Sequence, residues 1–300
     1  MKVRRREFLK LGAATAGAVA GVTARPSGAR AAAPDEPCVA MLYDATKCIG
    51  CRACQTACRE RLDLPPSDNG EGLYDEPSDL SSTCPTIISQ YSNGDETEWS
   101  FVKHQCMHCL DPGCASACLV NALERMPDGQ VVYDVGKCIG CRYCMIACPF
   151  EVPTFEYDKP VPAIRKCDFC YDRTGEGEPP RCAEACPTGA ITYGERSELI
   201  SEARARIYEE PDRYEPYVYG EEEAGGTAAL YIAGVSFDKL GLPTNLPNTP
   251  IPNLTKGFLN SVPLVILLWA AFGTGLHRFV ERREAVAGDG LSGSGGEAGS

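Results

Sequence analysis

Residues Lys47–Cys58 read KCIGCRACQTAC, and Lys137–Cys148 read KCIGCRYCMIAC. Ten of fifteen positions match between Asp44–Cys58 and Asp134–Cys148, and each copy spaces four cysteines as C-x2-C-x2-C-x3-C. Nothing else in the sequence restricts the fold so strongly. Thiols this close are either joined in pairs or arranged around a shared ligand, and the chain has to wrap accordingly.

Sixteen of the eighteen cysteines fall into four such quartets. The first is Cys48, Cys51, Cys54 and Cys58; the second is Cys106, Cys109, Cys114 and Cys118. The third is Cys138, Cys141, Cys144 and Cys148, followed by Pro149; the fourth is Cys167, Cys170, Cys182 and Cys186. The first and third have the spacing of bacterial ferredoxins, whose thiolates bind iron–sulfur cubes. Three thiolates two residues apart wrap one loop around one side of a cube. Gly50 and Gly140 relieve crowding where backbone N–H groups approach the inorganic sulfides. The fourth cysteine begins a helix leading away, and in two-cluster ferredoxins it ligates the other cluster. The second quartet widens one gap at Asp111-Pro112-Gly113 and the fourth widens it further, but both keep the three-plus-one pattern.

Two other uses of cysteine compete. An exported, cysteine-rich chain is often a disulfide scaffold, yet C-x2-C-x2-C sets thiols too close for ordinary pairing. Structural zinc uses paired C-x2-C, but it does not require a third cysteine at the same interval and a fourth after x3. Cubane ligation explains every quartet. Cys38 and Cys84 stand outside them, and a disulfide between these two is weighed against two free thiols.

The expected fold class is α+β: a loop-rich body of two nested two-cluster ferredoxin-like modules, with a carboxyl-terminal transmembrane helix. The body spans 38–208. "NALERMPDGQVVYD" reads as two short strands about an Asp128-Gly129 turn, inside an inner module from Phe101 to Pro149. Residues 41–58 and 163–195 would form the outer module around it. A helix follows at Ser197–Tyr208, with Ser197 as its cap. The insertion Arg59–His104 contains Asn93-Gly94 between "TIISQYS" and "TEWSFVK", a hairpin signal.

Two ligand pairings remain open at this point. Nested pairing puts Cys48, Cys51 and Cys54 with Cys186; Cys58 with Cys167, Cys170 and Cys182; Cys106, Cys109 and Cys114 with Cys148; and Cys118 with Cys138, Cys141 and Cys144. Sequential pairing joins the first quartet to the second and the third to the fourth, across the 47 residues separating Cys58 from Cys106.

Both ends of the chain carry membrane signals. Residues 1–33 have a basic start, an apolar stretch Leu11–Val22 and small residues at Ala31-Ala32-Ala33, the anatomy of an export signal. Arg5-Arg6-x-Phe8-Leu9-Lys10 fits the twin-arginine type. Residues 209–257, rich in Tyr and Pro, are expected to run extended as a docking segment. The apolar run 258–280 is long enough to cross a bilayer core of roughly 30 Å. His277, Arg278, Arg282 and Arg283 then place the carboxyl end in the cytoplasm. The tail 281–300 is expected to be disordered. A formal charge of −12 argues against nucleic acid.

The quartets, the twin-arginine signal and the terminal helix resemble the iron–sulfur electron-transfer subunits of membrane oxidoreductases. Within that group the chain is most similar to HybA-like subunits of nickel–iron uptake hydrogenases. The resemblance rests on "MLYDATKCIGC", "KHQCMHCLDPGC", "GCRYCMIACPFEVP" and "KCDFC", and extends into "YGEEEAGGTAALYIAGVSFDKLGLP". It implies four 4Fe–4S clusters, the nested and crossed ligation, and a body on the periplasmic face of the cytoplasmic membrane. The implied partners are hydrogenase catalytic and small subunits and an integral-membrane quinone-reactive subunit. Arg59 and Leu119 depart from the family's pattern, in which proline often follows a fourth ligand. The iron–sulfur subunits of formate dehydrogenase and of polysulfide or dimethyl-sulfoxide reductase carry the same quartets beside a molybdenum or tungsten subunit. They are the alternative; a disulfide-built scaffold with no redox role is another. No nucleophile–base pair or dinucleotide fingerprint stands out, so the chain reads as a non-catalytic subunit. His104 and His108 read as neighbours of the second quartet rather than ligands, and His277 as an interfacial residue.

Overall fold

A computed structural model describes residues 38–65, 79–92 and 99–292. The export signal and the Asn93-Gly94 turn lie outside these residues. The described chain is mixed α and β, with small sheets in a loop-rich body and one long apolar helix. The described residues up to Ile251 form one compact unit, and those from Pro252 form another.

In the body, β1 (Val39–Asp44) leads into α1 (Ala53–Arg61), which carries Cys54 and Cys58. β2 (Ile87–Ser92) and β3 (Trp99–His104) pair antiparallel, with Ile88 opposite Lys103. Short helices of four residues each, α2 (Gly113–Ser116) and α3 (Tyr143–Ile146), flank the hairpin β4 (Leu123–Arg125) and β5 (Val131–Tyr133). The ribbon β6 (Thr154–Phe155) and β7 (Ile164–Arg165) comes next. After it come α4 (Tyr171–Thr174) and α5 (Arg181–Glu184), then β8 (Ile191–Glu195) and α6 (Arg196–Glu209).

The central sheet has the order β8-β1-β9, where β9 is Ala229–Ile232. β1 pairs antiparallel with β8, Tyr43 opposite Ile191, and parallel with β9, Tyr43 opposite Tyr231. Chain segments far apart in sequence thus meet at one tyrosine pair. The Tyr43 hydroxyl donates to the Phe101 carbonyl at 2.9 Å and that of Tyr231 to the Lys103 carbonyl at 2.8 Å, tying β3 onto this sheet.

Three expectations need correction. The segment 209–257 is not simply an extended docking strip. It supplies β9 and buries Tyr219, Leu230, Tyr231, Ile232, Phe237 and Leu240. "AALYIA" is apolar without alternation, the pattern of a strand covered on both faces. Helix α6 starts at Arg196, with Glu195 rather than Ser197 at its cap. Glu195 ends β8, where its Oε1 accepts the Cys38 N–H at 3.0 Å, and the chain turns into helix there, its cap two residues early. The terminal helix α7 spans Ile251–Ser292, starting before 258 and continuing into the tail expected to be disordered. Once nucleated, a helix propagates cheaply, and Glu281, Arg282, Arg283, Glu284 and Ala285 are good helix formers. Its portion Ile251–Val286 is long and apolar enough to cross a membrane, with mean hydropathy 1.7 over its apolar window.

Candidate iron–sulfur site

All eighteen cysteines are free thiols, Cys38 and Cys84 included, so no disulfide holds the body together. The sixteen quartet cysteines gather instead into four neighbourhoods. Cys48, Cys51, Cys54 and Cys186 line one small hollow together with Tyr43 and Ile88. Cys58 lies within electrostatic reach of Cys170, Cys182 and Cys167. Cys109 has Cys114, Cys106 and Cys148 around it, and Cys144 has Cys118, Cys141 and Cys138.

The neighbourhoods also lie within electrostatic reach of one another in series. Cys54 senses Cys182, Cys167 senses Cys106, and Cys114 senses Cys144. The fourth cysteines reach these positions because α1 packs against α5 and α2 packs against α3. In the second and third groups most thiols are buried, whereas Cys51 and Cys141, at the two ends of the series, are exposed.

Local backbone geometry repeats in all four loops. The residue before each second cysteine is left-handed: Gly50 (φ 69°), His108 (48°), Gly140 (70°) and Phe169 (62°). That conformation turns the amide inward. The N–H groups of Gly50, Gly140 and Phe169 donate to the sulfurs of Cys48, Cys138 and Cys167 at 3.5, 3.4 and 3.4 Å. Glycine marks this position in two loops; in the other two a histidine and a phenylalanine hold it, with no residue signature to announce the turn. Their rings pack edge to face at 4.7 Å, a contact that helps hold both residues there. The residue three past the fourth cysteine is also left-handed at Asn121, Glu151 and Gly189. After Cys58, α1 instead continues to Arg61, which accounts for Arg59 where proline is common. Leu119 changes nothing, because the turn is made at Asn121.

The chemistry of the donor set fits a multi-iron cluster. Burial raises the thiols of Cys54, Cys58 and Cys114 to about 12 and that of Cys144 to about 11. In Cys114 and Cys144, neighbouring sulfurs push in the same direction. Protein alone therefore disfavours four thiolates together, and a polycationic core is what would draw the protons off. Cys186 goes the other way: burial raises it, but the Thr188 hydroxyl and the backbone N–H groups near Ile191 and Ala190 lower it below the usual thiol value. Among the described residues, no three His, Cys, Asp or Glu side chains converge tightly enough for a single metal ion. His104, held down to about 4 by burial, bonds the Tyr91 hydroxyl at 3.1 Å. His108 is fully buried, is pushed well below its ordinary value by that burial, and accepts the Val131 N–H at 2.9 Å. Exposed His277 faces Glu281 at 3.4 Å.

Fold and site define a ferredoxin-type protein for several clusters, and residues 97–196 match the 4Fe–4S dicluster domain family. The chain is 38% identical to the hydrogenase-2 operon protein HybA of Escherichia coli O157:H7, covering 80% of this chain and 84% of that one. It is 36% identical to the formate dehydrogenase-O iron–sulfur subunit of Escherichia coli, covering 81% and 83%. A protein of Nitratidesulfovibrio vulgaris is 42% identical, covering 82% and 68%. The chain belongs to this family of HybA-like iron–sulfur subunits of oxidoreductases.

Proposed function

We propose that the protein is the electron-transfer subunit of a membrane-bound oxidoreductase, relaying electrons through four 4Fe–4S clusters between a periplasmic hydrogenase and a quinone-reactive membrane partner. The observation that carries this reading is the succession of four thiol neighbourhoods, each within electrostatic reach of the next, mostly buried in the middle two and with one exposed thiol in the first and one in the last. The ligand sets are the nested, crossed ones: Cys48, Cys51, Cys54 and Cys186; Cys58, Cys167, Cys170 and Cys182; Cys106, Cys109, Cys114 and Cys148; Cys118, Cys138, Cys141 and Cys144. The two modules are correspondingly nested, the inner one within 101–149. Bound clusters supply one-electron redox chemistry. The chain supplies the thiolates, the amide donors that favour their charged form, and a packed interior that keeps water from the middle sets.

Export by the twin-arginine route and anchoring through α7 complete the reading. The basic residues Arg278, Arg282 and Arg283, past the most apolar stretch, favour a cytoplasmic carboxyl end and a periplasmic body. A molybdenum- or tungsten-containing partner is the second reading, favoured by the nearly equal identity to a formate dehydrogenase subunit.

Anaerobic purification of the full chain tests the core of the proposal. About sixteen irons per chain, four for each cluster, with matching sulfide and reducible signals, is the expected result, and negligible iron overturns it. Co-purification separates the two partner readings. Protease added to intact spheroplasts should cleave the body, and protection would overturn the topology.

A further inference from the structure

Two lysines lie inside the body where a charge is hardest to accommodate. Lys103 is 1% exposed and Lys166 is 7% exposed. Lys103 donates to the Thr86 hydroxyl at 2.7 Å and to the Gln105 side-chain carbonyl. Lys166 donates to the Cys167 carbonyl at 3.0 Å and to that of Val131. Each is held by neutral acceptors, and neither forms a salt bridge among the described residues. A buried ammonium without an anion is costly, so something else must balance these two charges.

Their positions show what does. Lys103 stands among Cys182, Cys54, Cys167 and Cys58, where the first neighbourhood meets the second. Lys166 stands among Cys106, Cys114 and Cys167, where the second meets the third, with Asp168, itself held by Arg61, also within electrostatic reach. His108 lies within electrostatic reach of both lysines. At the fourth neighbourhood the lysine beside Cys138, Lys137, is half exposed and paired with Asp134.

We propose that Lys103 and Lys166 are fixed buried cations that raise the reduction potentials of the clusters at two successive junctions of the relay. The proposal rests on the four-cluster reading above. Reduction adds one negative charge to a cluster, so a nearby cation stabilises the reduced form. A unit charge within about 10 Å, at the effective dielectric of about 20 that suits buried sites, shifts that equilibrium on the order of tenfold. Tenfold is about 59 mV for a one-electron couple. Both lysines act on the second cluster, whose potential is therefore raised most.

The test is anaerobic redox titration of the full chain, followed by electron paramagnetic resonance, for Lys103→Met, Lys166→Met and the double variant. Each single variant should lower two of the four couples by about tenfold in the reduced-to-oxidised ratio, about 59 mV, and leave two in place. The double variant should lower three and leave one, the cluster held by Cys118, Cys138, Cys141 and Cys144. Lys103→Arg should restore the wild-type potentials to within about twofold, about 18 mV by the same constant, and the shifts should be insensitive to salt, because the charges are buried. Unchanged potentials with full iron, or a uniform shift of all four couples, would overturn the proposal. Should Lys103→Met lose its iron, Lys103→Gln, which keeps a polar head for Thr86 and Gln105, carries the same comparison. A wild-type chain without iron sinks the four-cluster reading instead, so the two failures are distinguishable.

Discussion

Replacing Asp44 by alanine should cost far more than replacing Asp134, although both open the same repeated stretch. Asp44 is 0% exposed and its carboxylate is fully engaged. Oδ1 accepts the Thr46 N–H at 3.0 Å and the Thr46 hydroxyl at 2.6 Å. Oδ2 accepts the Tyr214 hydroxyl at 2.9 Å and Arg206 Nη1 at 3.1 Å, with Lys47 Nζ at 3.8 Å. Asp44 thus joins β1, the first cysteine loop, α6 and the Tyr214 segment. Removing the acid takes one of two carboxylates from a guanidinium only 19% exposed, which keeps Glu202, and leaves the buried Tyr214 hydroxyl with Thr46 alone. Losing several buried hydrogen bonds to a charged group, each worth about 1.5–3 kcal/mol, should cost about 3–5 kcal/mol, a hundredfold to a few thousandfold in the unfolding equilibrium at about 1.4 kcal/mol per tenfold. Against a typical total of about 5–15 kcal/mol that is a large fraction. Asp134 accepts the Gly136 N–H at 2.9 Å and pairs with Lys137 at 3.3 Å, with both side chains about half exposed. Its loss should leave stability unchanged within error. The assay is guanidinium unfolding of the cluster-loaded chain in detergent, read by far-UV circular dichroism and by loss of cluster absorbance. Equal midpoints for Asp44→Ala and Asp134→Ala would refute the reasoning.

The same matched design applies to the glycines. A Cβ on Gly50 would stand 2.4 Å from the Phe101 ring, whereas on Gly140 the nearest atom is 3.8 Å away, and both have a left-handed backbone. Gly140→Ala should cost only the backbone strain, about 1–2 kcal/mol, and Gly50→Ala about 1–3 kcal/mol more for overpacking; the order of their unfolding midpoints checks this. Arg61 grips Asp168 with two bonds of 2.9 and 2.8 Å, and Asp168 accepts the Cys170 N–H at 2.9 Å. Arg61→Met should cost roughly 1–2 kcal/mol and speed iron loss to chelator, and an unchanged chelation rate would count against it. Glu156 is buried, which raises its carboxyl, but Lys159, Arg165 and the Ala163 N–H outweigh this and leave it below its ordinary 4.5. A depressed folded value means that its contribution is full above about pH 4.5 and is lost as pH falls through the folded value. Glu156→Gln should therefore flatten that part of the acid limb in a stability–pH profile.

The cysteine spacing announced the quartets because ligand geometry is local: two intervening residues are what a loop needs to wrap one side of a cluster. The hairpin strands around Asp128-Gly129 were legible for the same reason, and β4 and β5 lie where the turn signal puts them. What the sequence concealed depends on contacts between distant segments. The left-handed turn at His108 and Phe169 lacks the glycine signature because two rings pack there. The strand β9 is a short apolar run that gains its meaning only beside β1, across nearly the whole body. Lysine stands directly before the first cysteine in three quartets, at Lys47, Lys137 and Lys166. Lys47 and Lys137 each meet an aspartate three residues earlier, but at that place before Lys166 stands Ala163. The missing acid was visible in the sequence; that the fold would close over this lysine was not.

The repeated stretch therefore fixes how a cluster is held and leaves open how easily it is reduced. Cys54 of the first copy packs into the main core with Met41, Tyr43 and Ile88. In the second copy Cys144 belongs to the smaller cluster around Leu123, Val131 and Ile164, and Tyr143 and Ile146 stay exposed. Nearly identical ligand loops thus sit in different surroundings, one near a buried cation and the other near water. Reduction potentials follow hydrogen bonds, charge and solvent exposure as well as cluster type. Any difference in potential between the clusters of the two copies must then come from non-cysteine residues. The first places to look are the two lysines at the junctions and the aspartates that close one loop inside the core and the other at the surface.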